Sequence, residues 1–126
     1  MESITPRKVL IVDNDVIAVI QAEGVLSKAG FTVSRLLSPA GLYAKLEYER
    51  PDVLLLDTEI PGMQPEAVFQ RLRSGEFDDL VLVLFSARSP EELHGICLQN
   101  ELFNGYFSKS MDFAQLPAFL ESFFQE

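Results

Sequence analysis

The sequence predicts an α/β fold, a single domain in which helices cover both faces of a parallel five-stranded sheet. Short runs rich in leucine and β-branched residues alternate five times with amphipathic stretches, which is the pattern of βα units. The apolar runs are nearly continuous, as in strands buried on both faces. The 126 residues contain no linker, repeat or low-complexity tract, so we expect residues 1–126 to form one three-layer domain.

The five predicted strands are the five short apolar runs. They are Lys8–Val12, Phe31–Leu36, Val53–Asp57, Leu80–Phe85 and Gly105–Ser108.

Capping signals predict the first, second and fourth helices. The first runs from about Asp15 to Ala29, and Gly30 follows as the left-handed residue that lets the chain reverse. Ser38-Pro39 and Ser89-Pro90 each look like an N-cap followed by proline at the first helical position. Ser89 and Glu92 have the spacing of a capping box.

The third and fifth helices follow from other signals. The third is predicted to begin at Pro65 and end at Gly75. Pro117 would delete a hydrogen bond inside a helix that began at Asp112, so the regular part of the last helix is predicted from Leu116. Its apolar residues form one stripe that we expect to pack in the core: Leu116, Phe119, Leu120, Phe123 and Phe124.

Composition excludes several classes of function. Nineteen acidic and ten basic side chains give a formal net charge of -9, which disfavours direct nucleic-acid binding and suits a divalent cation or a basic protein surface. No apolar stretch approaches the roughly 20 residues that span a bilayer. Met1–Lys8 has no apolar signal core, so we expect a cytoplasmic protein without membrane association. The single Cys97 is expected to be a small core residue.

A polar residue ends or directly follows each of four predicted strands. These residues are Asp13, Asp57, Ser86 and Lys109. The carboxyl ends of parallel strands line one crevice, so carboxylates, a hydroxyl and an ammonium should meet there. A transferred phosphoryl group needs hydrogen-bond donors and positive charge on its oxygens, and this set could supply both.

Each of these residues alone has a simpler interpretation. Asp57 precedes the turn around Pro61-Gly62 and could merely cap that loop. Asp13-Asn14-Asp15 could be a solvated turn or a Mg²⁺ site, and Asp15 is better interpreted as the N-cap of the first helix. Their common position at strand ends is what favours a functional site.

Four segments together resemble the receiver domain of two-component response regulators. They are Val9–Asp15, Pro51–Asp57 with Ile60–Met63, Leu84–Arg88 and Gly105–Lys109. They cover every strand end but the second, in order along the chain. The resemblance implies a flavodoxin-like fold with strand order 2-1-3-4-5.

The resemblance also implies roles at a phosphorylation site. Asp57 would be the phosphoacceptor, which attacks the phosphorus of a phosphohistidine on a sensor histidine kinase or phosphotransfer protein. Asp13 and Asn14 would lie at the acidic-pair positions near Mg²⁺, and Asp57 and the backbone carbonyl of Glu59 would be further ligands.

Three more residues receive roles from the resemblance. Ser86 and Lys109 would contact phosphoryl oxygens, and Tyr106 would be the aromatic residue whose rotamer follows Ser86. Phosphorylation would then change a surface around the fourth helix, fifth strand and fifth helix, which would bind an output domain, a partner protein or a second copy in a homodimer. We expect Phe103, Tyr106 and the exposed side of the last helix to take part in that surface.

Two departures from the family pattern lead to specific expectations. Asn14 replaces a carboxylate, so Mg²⁺ should bind weakly. Ser110 follows Lys109 where a proline is common, so the Lys109–Ser110 peptide bond should be trans. Lys109 should point toward Asp57, because Asp13 and Asp57 would otherwise repel each other.

Two alternatives stay open. A pseudo-receiver would use the same fold as a protein-interaction module without phosphorylation. Asp13-x-Asp15 also resembles the nucleophile motif of haloacid dehalogenase-type phosphohydrolases, but only Asp112, Glu121 and Glu126 follow Lys109 as possible metal ligands. That interpretation leaves the segment from Asp57 to Met63 unexplained, so we expect a chain that is not an enzyme.

Overall fold

A computed structural model describes residues 7–125 of the chain. Its five strands form one parallel sheet in the order β2-β1-β3-β4-β5, as predicted. The strands are β1 Lys8–Val12, β2 Thr32–Leu36, β3 Val53–Leu56, β4 Val81–Ser86 and β5 Gly105–Ser108. The helices are α1 Val16–Lys28, α2 Leu42–Glu49, α3 Pro65–Arg73, α4 Pro90–Gln99 and α5 Leu116–Glu121, with 3-10 turns at Phe113–Gln115 and Ser122–Phe124. Within residues 7–125, the helices are all too short or too polar to cross a bilayer.

The sheet separates two hydrophobic cores because successive strand residues point to opposite faces. On one face Ile11, Leu55 and Val83 pack with α1 and α5. On the other face Leu10 and Leu54 pack with α2, α3 and α4. Both faces are covered, so the central strands carry apolar residues at every position.

Most predicted helix ends are confirmed by their caps. Asp15 caps α1 by accepting a hydrogen bond from the backbone N–H of Ala18 at 3.2 Å. Gly30 has φ +99°, the left-handed conformation predicted for it. The capping box of Ser89 and Glu92 is present at the start of α4.

The predicted start of the second helix is wrong. α2 begins at Leu42, and the residue before it, Gly41, has φ +77°. Ser38 accepts from the backbone N–H of Ala40, and the amide of Leu42 bonds to the carbonyl of Pro39, so this segment is a turn. The side chain of serine can close a local turn as readily as it caps a helix.

Smaller differences concern other element ends. α3 ends at Arg73 instead of Gly75, because the backbone N–H of Ser74 already closes the last turn. Three strands also differ from the prediction: β2 begins one residue after Phe31, β3 ends one residue before Asp57, and β4 lies one residue later at both ends.

The aromatic residues near the end of the chain are mostly core. The stripe on the last helix packs against the α1 face of the sheet, as predicted. Phe103, however, is only 8% exposed and stacks edge-on against Phe69 at a centroid separation of 4.7 Å. Its predicted place on a partner surface is therefore wrong, because its ring fills the core under α3 and α4. Cys97 is half-buried beside the same core.

Candidate functional site

Main-chain hydrogen bonds position the polar residues at the strand ends. The amide of Asp13 donates to the carbonyl of Leu36, and the amide of Asp57 donates to the carbonyl of Val12, both at 3.0 Å. The amide of Lys109 donates to the carbonyl of Ser86 at 2.7 Å. Each residue thus adds one hydrogen bond to the end of the parallel ladder. The sheet brings these side chains to one edge, as the sequence predicted.

Lys109 lies between two buried carboxylates. Its Nζ is 2.7 Å from Asp13 Oδ2, 3.7 Å from Asp57 Oδ1 and 3.9 Å from Asp15 Oδ2. Asp13 and Asp57 are 0% and 2% exposed, whereas the side chain of Asp15 is about half exposed. The prediction that Lys109 points toward Asp57 is therefore confirmed, although its shorter contact is with Asp13.

The Asp57 carboxyl holds its proton more tightly than an exposed aspartate does. Burial is the main cause, and the neighbouring Asp13 carboxylate adds to it, so the pKa of Asp57 is raised from 3.8 to about 6. Lys109 and the backbone N–H of Glu59, which donates to Asp57 Oδ1 at 3.1 Å, act in the opposite direction. At pH 7 the carboxylate is still mostly ionised and can act as a nucleophile.

The carboxylates of Asp13 and Asp57 at this edge suit a hard divalent cation. Asp13 Oδ1 accepts the backbone N–H of Asp15, whereas the buried Oδ2 makes an ion pair with Lys109. Oxygen donors of this type fit Mg²⁺, which keeps several waters and needs few protein ligands. Within residues 7–125, no group of three or more His, Cys, Asp or Glu side chains gathers as a metal site.

The other two predicted metal ligands occupy less enclosed positions. Asn14 is exposed beside Asp13. The Glu59 side chain is exposed and pairs with Arg88 through Nε at 3.1 Å, and this hydrogen bond is the main reason why its pKa is lowered. Whether the amide of Asn14 and the backbone carbonyl of Glu59 bind a cation stays a prediction.

Ser86 is held by two residues that the sequence analysis missed. Its Oγ lies 2.6 Å from Thr58 Oγ1 and accepts the backbone N–H of Arg88 at 3.1 Å. Thr58 follows Asp57 directly, and a hydroxyl next to a candidate nucleophile was the signal available in the sequence. Arg88 could not be singled out, because its contact with Glu59 depends on how two loops approach each other.

The loop after β5 keeps its shape without a proline. There is no cis peptide bond in residues 7–125, so the predicted trans bond between Lys109 and Ser110 is confirmed. The buried Ser108 hydroxyl donates to the carbonyl of Arg88 at 2.7 Å and lies 2.8 Å from Ser110 Oγ. These hydroxyls tie the loop that carries Lys109 to the loop after β4.

Comparison with known proteins decides the family. The sequence profile of the response regulator receiver domain matches residues 9–121. The chain belongs to the response regulator receiver domain family. No curated protein sequence gives a significant match.

Solved structures of similar fold include receivers from several bacteria. The chemotaxis response regulator CheY4 of Vibrio cholerae has 22% sequence identity and a TM-score of 0.79, with 94% of this chain and 98% of that chain covered. A signal receiver domain from Bermanella marisrubri has 19% identity and a TM-score of 0.80, covering 96% and 100%. A response regulator from Thermotoga maritima has 20% identity and a TM-score of 0.79, covering 94% and 97%. These neighbours confirm the predicted flavodoxin-like fold.

One more predicted site residue of this receiver domain is Tyr106. It lies on β5, on the face of the sheet that packs against α4, and is half-buried. Its ring stands edge-on to His94 of α4, with 6.0 Å between centroids. This position borders both the core and solvent. Its coupling to Ser86 stays a prediction.

The raised pKa of Asp57 predicts an unusual dependence of stability on pH. The folded receiver binds this proton more tightly than the unfolded chain, so the contribution of Asp57 to stability is fully present below about pH 4 and is lost as the pH rises to about 6. With Mg²⁺ chelated, Asp57→Asn should abolish this fall and raise the free energy of unfolding at pH 7 by about 1–3 kcal/mol. Urea unfolding between pH 4 and 8 measures both effects.

The matched control is Asp112→Asn, which changes an exposed capping aspartate. It should leave the pH profile of the wild type intact. A profile that stays the same in Asp57→Asn would show that the Asp57 carboxyl is not destabilised by the fold.

Proposed function

We propose that Asp57 of this receiver domain accepts a phosphoryl group from a phosphohistidine of a sensor histidine kinase or a phosphotransfer protein. The observation that carries the proposal is the buried pair of Asp13 and Asp57 with the Lys109 ammonium within 4 Å of both. Burying these charges carries a desolvation penalty that lowers the stability of the fold. Their presence at one edge therefore favours a functional role. In this proposal the chain is a signalling component that accepts a phosphoryl group, and not an enzyme with a small-molecule substrate.

The proposed reaction is an in-line transfer between two proteins. A carboxylate oxygen of Asp57 attacks phosphorus, the phosphorus–nitrogen bond breaks, and the imidazole of the donor histidine leaves with the electron pair. The product is an acyl phosphate. Lys109 supplies positive charge to one phosphoryl oxygen, and the Ser86 hydroxyl donates a hydrogen bond to another, as the charge on the transferring group requires.

A divalent cation fits this chemistry. Asp13 and Asp57, with the amide oxygen of Asn14 and the backbone carbonyl of Glu59, would hold Mg²⁺, whose charge would offset the repulsion between carboxylates and phosphoryl oxygens. Asp13 would exchange its contact with Lys109 for the cation. The freed ammonium is then available to the phosphoryl group.

An exposed apolar surface beside the crevice supports protein-to-protein transfer. Helices that follow parallel strands begin at the carboxyl edge of the sheet, so the first turns of α1 border the Asp57 site. Val16, Ile17 and Ile20 there are 45%, 71% and 55% exposed. A donor histidine must bring its phosphorus to about 3–3.5 Å from the attacking oxygen, which requires its protein to cover this rim. Apolar residues at such a rim favour a protein donor.

The proposed readout is a changed protein surface. Tyr106 borders α4, and the acidic chain suits an output domain or partner with a basic rim, or a second copy in a homodimer. Phosphorylation would bias the position of Tyr106 through Ser86 and thereby alter this surface.

A pseudo-receiver is the second candidate function. The 2.7 Å contact between Lys109 and Asp13 partly neutralises the crevice without a metal ion. Asn14 gives the crevice one carboxylate fewer than the acidic pair of the family pattern would. The same surface would then bind its partner without phosphorylation. The phosphohydrolase alternative has less support, because Asp15 and Asp112 serve as caps and Glu121 pairs with Arg7. Glu126, the third candidate ligand after Lys109, lies outside the described residues.

The first test is direct phosphorylation. With acetyl phosphate and Mg²⁺, the intact mass of the wild type should rise by one phosphoryl group, and Asp57→Asn should show no adduct. Asp52→Asn, at the opposite edge of the sheet, should be modified like the wild type. A wild type that stays unmodified at every Mg²⁺ concentration would favour the pseudo-receiver.

The second test concerns Asn14. A neutral amide attracts a cation less strongly than a carboxylate, so Asn14→Asp should bind Mg²⁺ at least about tenfold more tightly, which corresponds to about 1.4 kcal/mol. A Mg²⁺ titration followed by NMR measures the affinities. Equal or weaker binding in the variant would place residue 14 outside the metal site.

The third test separates donor docking from chemistry. Ile17→Glu should reduce transfer from a phosphorylated histidine kinase by about tenfold or more, while phosphorylation by acetyl phosphate stays at the wild-type rate. Leu98→Glu is the matched control, because Leu98 is 73% exposed but lies at the far end of α4. Equal losses in both variants, or a loss with acetyl phosphate, would count against docking on α1.

A further inference from the structure

The Ser86 hydroxyl belongs to a chain of polar contacts at the mouth of the crevice. Ser86 Oγ lies 2.6 Å from Thr58 Oγ1, and Thr58 Oγ1 donates to Glu59 Oε2 at 3.0 Å. The same Glu59 oxygen accepts from Arg88 Nε at 3.1 Å. The chain therefore links the loop after β3 to the loop after β4.

Counting protons gives the direction of each hydrogen bond. A carboxylate is ionised at neutral pH and only accepts, so the single hydroxyl proton of Thr58 goes to Glu59. Thr58 then has no proton left for Ser86. In the short contact between the two hydroxyls, Ser86 must be the donor and Thr58 the acceptor.

The consequence is that Ser86 has no free proton. Its one hydroxyl proton points at Thr58, and its oxygen accepts the backbone N–H of Arg88. Phosphoryl oxygens accept hydrogen bonds and do not donate them at neutral pH. Ser86 can therefore serve a phosphoryl group on Asp57 only after it releases Thr58.

We propose that Thr58 is a latch that holds Ser86 in the unphosphorylated arrangement and so opposes phosphorylation of Asp57. The inference rests on the proposed function, since it concerns the regulation of the same site. Thr58 is a positioning residue: it acts through Ser86. Arg88 strengthens the latch because it holds the Glu59 carboxylate, which accepts the hydrogen bond from the Thr58 hydroxyl.

The burial of the two hydroxyls explains why the latch has an effect. Ser86 is 0% exposed, and Thr58 is half-buried. A buried hydroxyl proton without an acceptor is unfavourable, so removing the Thr58 oxygen adds a penalty to the arrangement in which Ser86 faces Thr58. In the phosphorylated arrangement a phosphoryl oxygen accepts the Ser86 proton, and the loss of the bond between Thr58 and Glu59 affects both arrangements alike. The balance between the two arrangements should then shift toward the second.

The test uses beryllium fluoride with Mg²⁺ as a mimic of the acyl phosphate. In Thr58→Val, the valine side chain has nearly the same shape as that of threonine but lacks the hydroxyl. It should bind the mimic about three- to tenfold more tightly than the wild type, the effect of about one net hydrogen bond. Thr58→Ser keeps the hydroxyl and should match the wild type. In a Ser86→Ala background, Thr58→Val should give no gain.

A second measurement tests the latch without any phosphate mimic. Thr58→Val and Ser86→Ala should each lower the Tm of the unmodified protein by about 2–5 °C. The double variant should lose less than the sum of the two single losses, because the hydrogen bond between Thr58 and Ser86 can be lost only once. Additive losses would show that the two hydroxyls are not coupled and would overturn the proposal.

The remaining outcomes separate the latch from the proposed function. If the wild type binds the mimic and Thr58→Val binds it equally or less tightly, the latch is overturned while the proposed function stands. If Thr58→Val binds it and the wild type does not, the latch is supported in its strongest form. If no variant binds it, the proposed function and the latch fail together, even where the Tm coupling between Thr58 and Ser86 is present.

Discussion

The structure of the site depends on two buried carboxylates that share one ammonium. Asp13 and Asp57 end neighbouring strands, and each is fixed there by its own backbone N–H in the parallel ladder. These bonds hold the main chain of both residues at the carboxyl edge of the sheet. Lys109 approaches from the far side of β4 and contacts both, which reduces the repulsion but leaves the pKa of Asp57 raised to about 6. A fold that keeps this arrangement retains a buried carboxylate pair and its counter-charge at one edge.

The loops around this edge are organised by hydroxyl groups. Ser108 and Ser110 hold the loop that carries Lys109 against the loop after β4, in place of the proline that is common in the family. Thr58 connects Ser86 to Glu59 and Arg88 on the other side. Hydroxyls exchange partners readily, since each has one proton and two lone pairs. Main-chain hydrogen bonds therefore position the charged centre, whereas hydroxyl groups make the contacts at its rim.

The sequence predicted the fold and the main residues of the site because both follow from strand ends. A polar residue directly after a buried strand is placed by the ladder, so Asp13, Asp57 and Lys109 could be assigned to one edge in advance. Contacts between loops could not be predicted in this way, and the bonds that Thr58 makes were missed. The turn at Ser38 was mistaken for a helix start because the side chain of serine closes a turn and caps a helix with the same hydrogen bond. Phe103 was assigned to a surface because an aromatic residue in a loop carries no periodic signal of burial.

The most direct test of the shared-charge account is the pKa of Asp57 itself, measured by ¹³C NMR of its carboxyl carbon without Mg²⁺. The account predicts a midpoint near 6 in the wild type, and a still higher midpoint in Lys109→Met, because the methionine keeps the packing of the lysine chain and removes its charge. A wild-type midpoint near 3.8, or no upward shift in Lys109→Met, would contradict the account. The first result would mean that burial beside Asp13 does not raise the pKa of Asp57. The second would mean that the charge of Lys109 does not lower it.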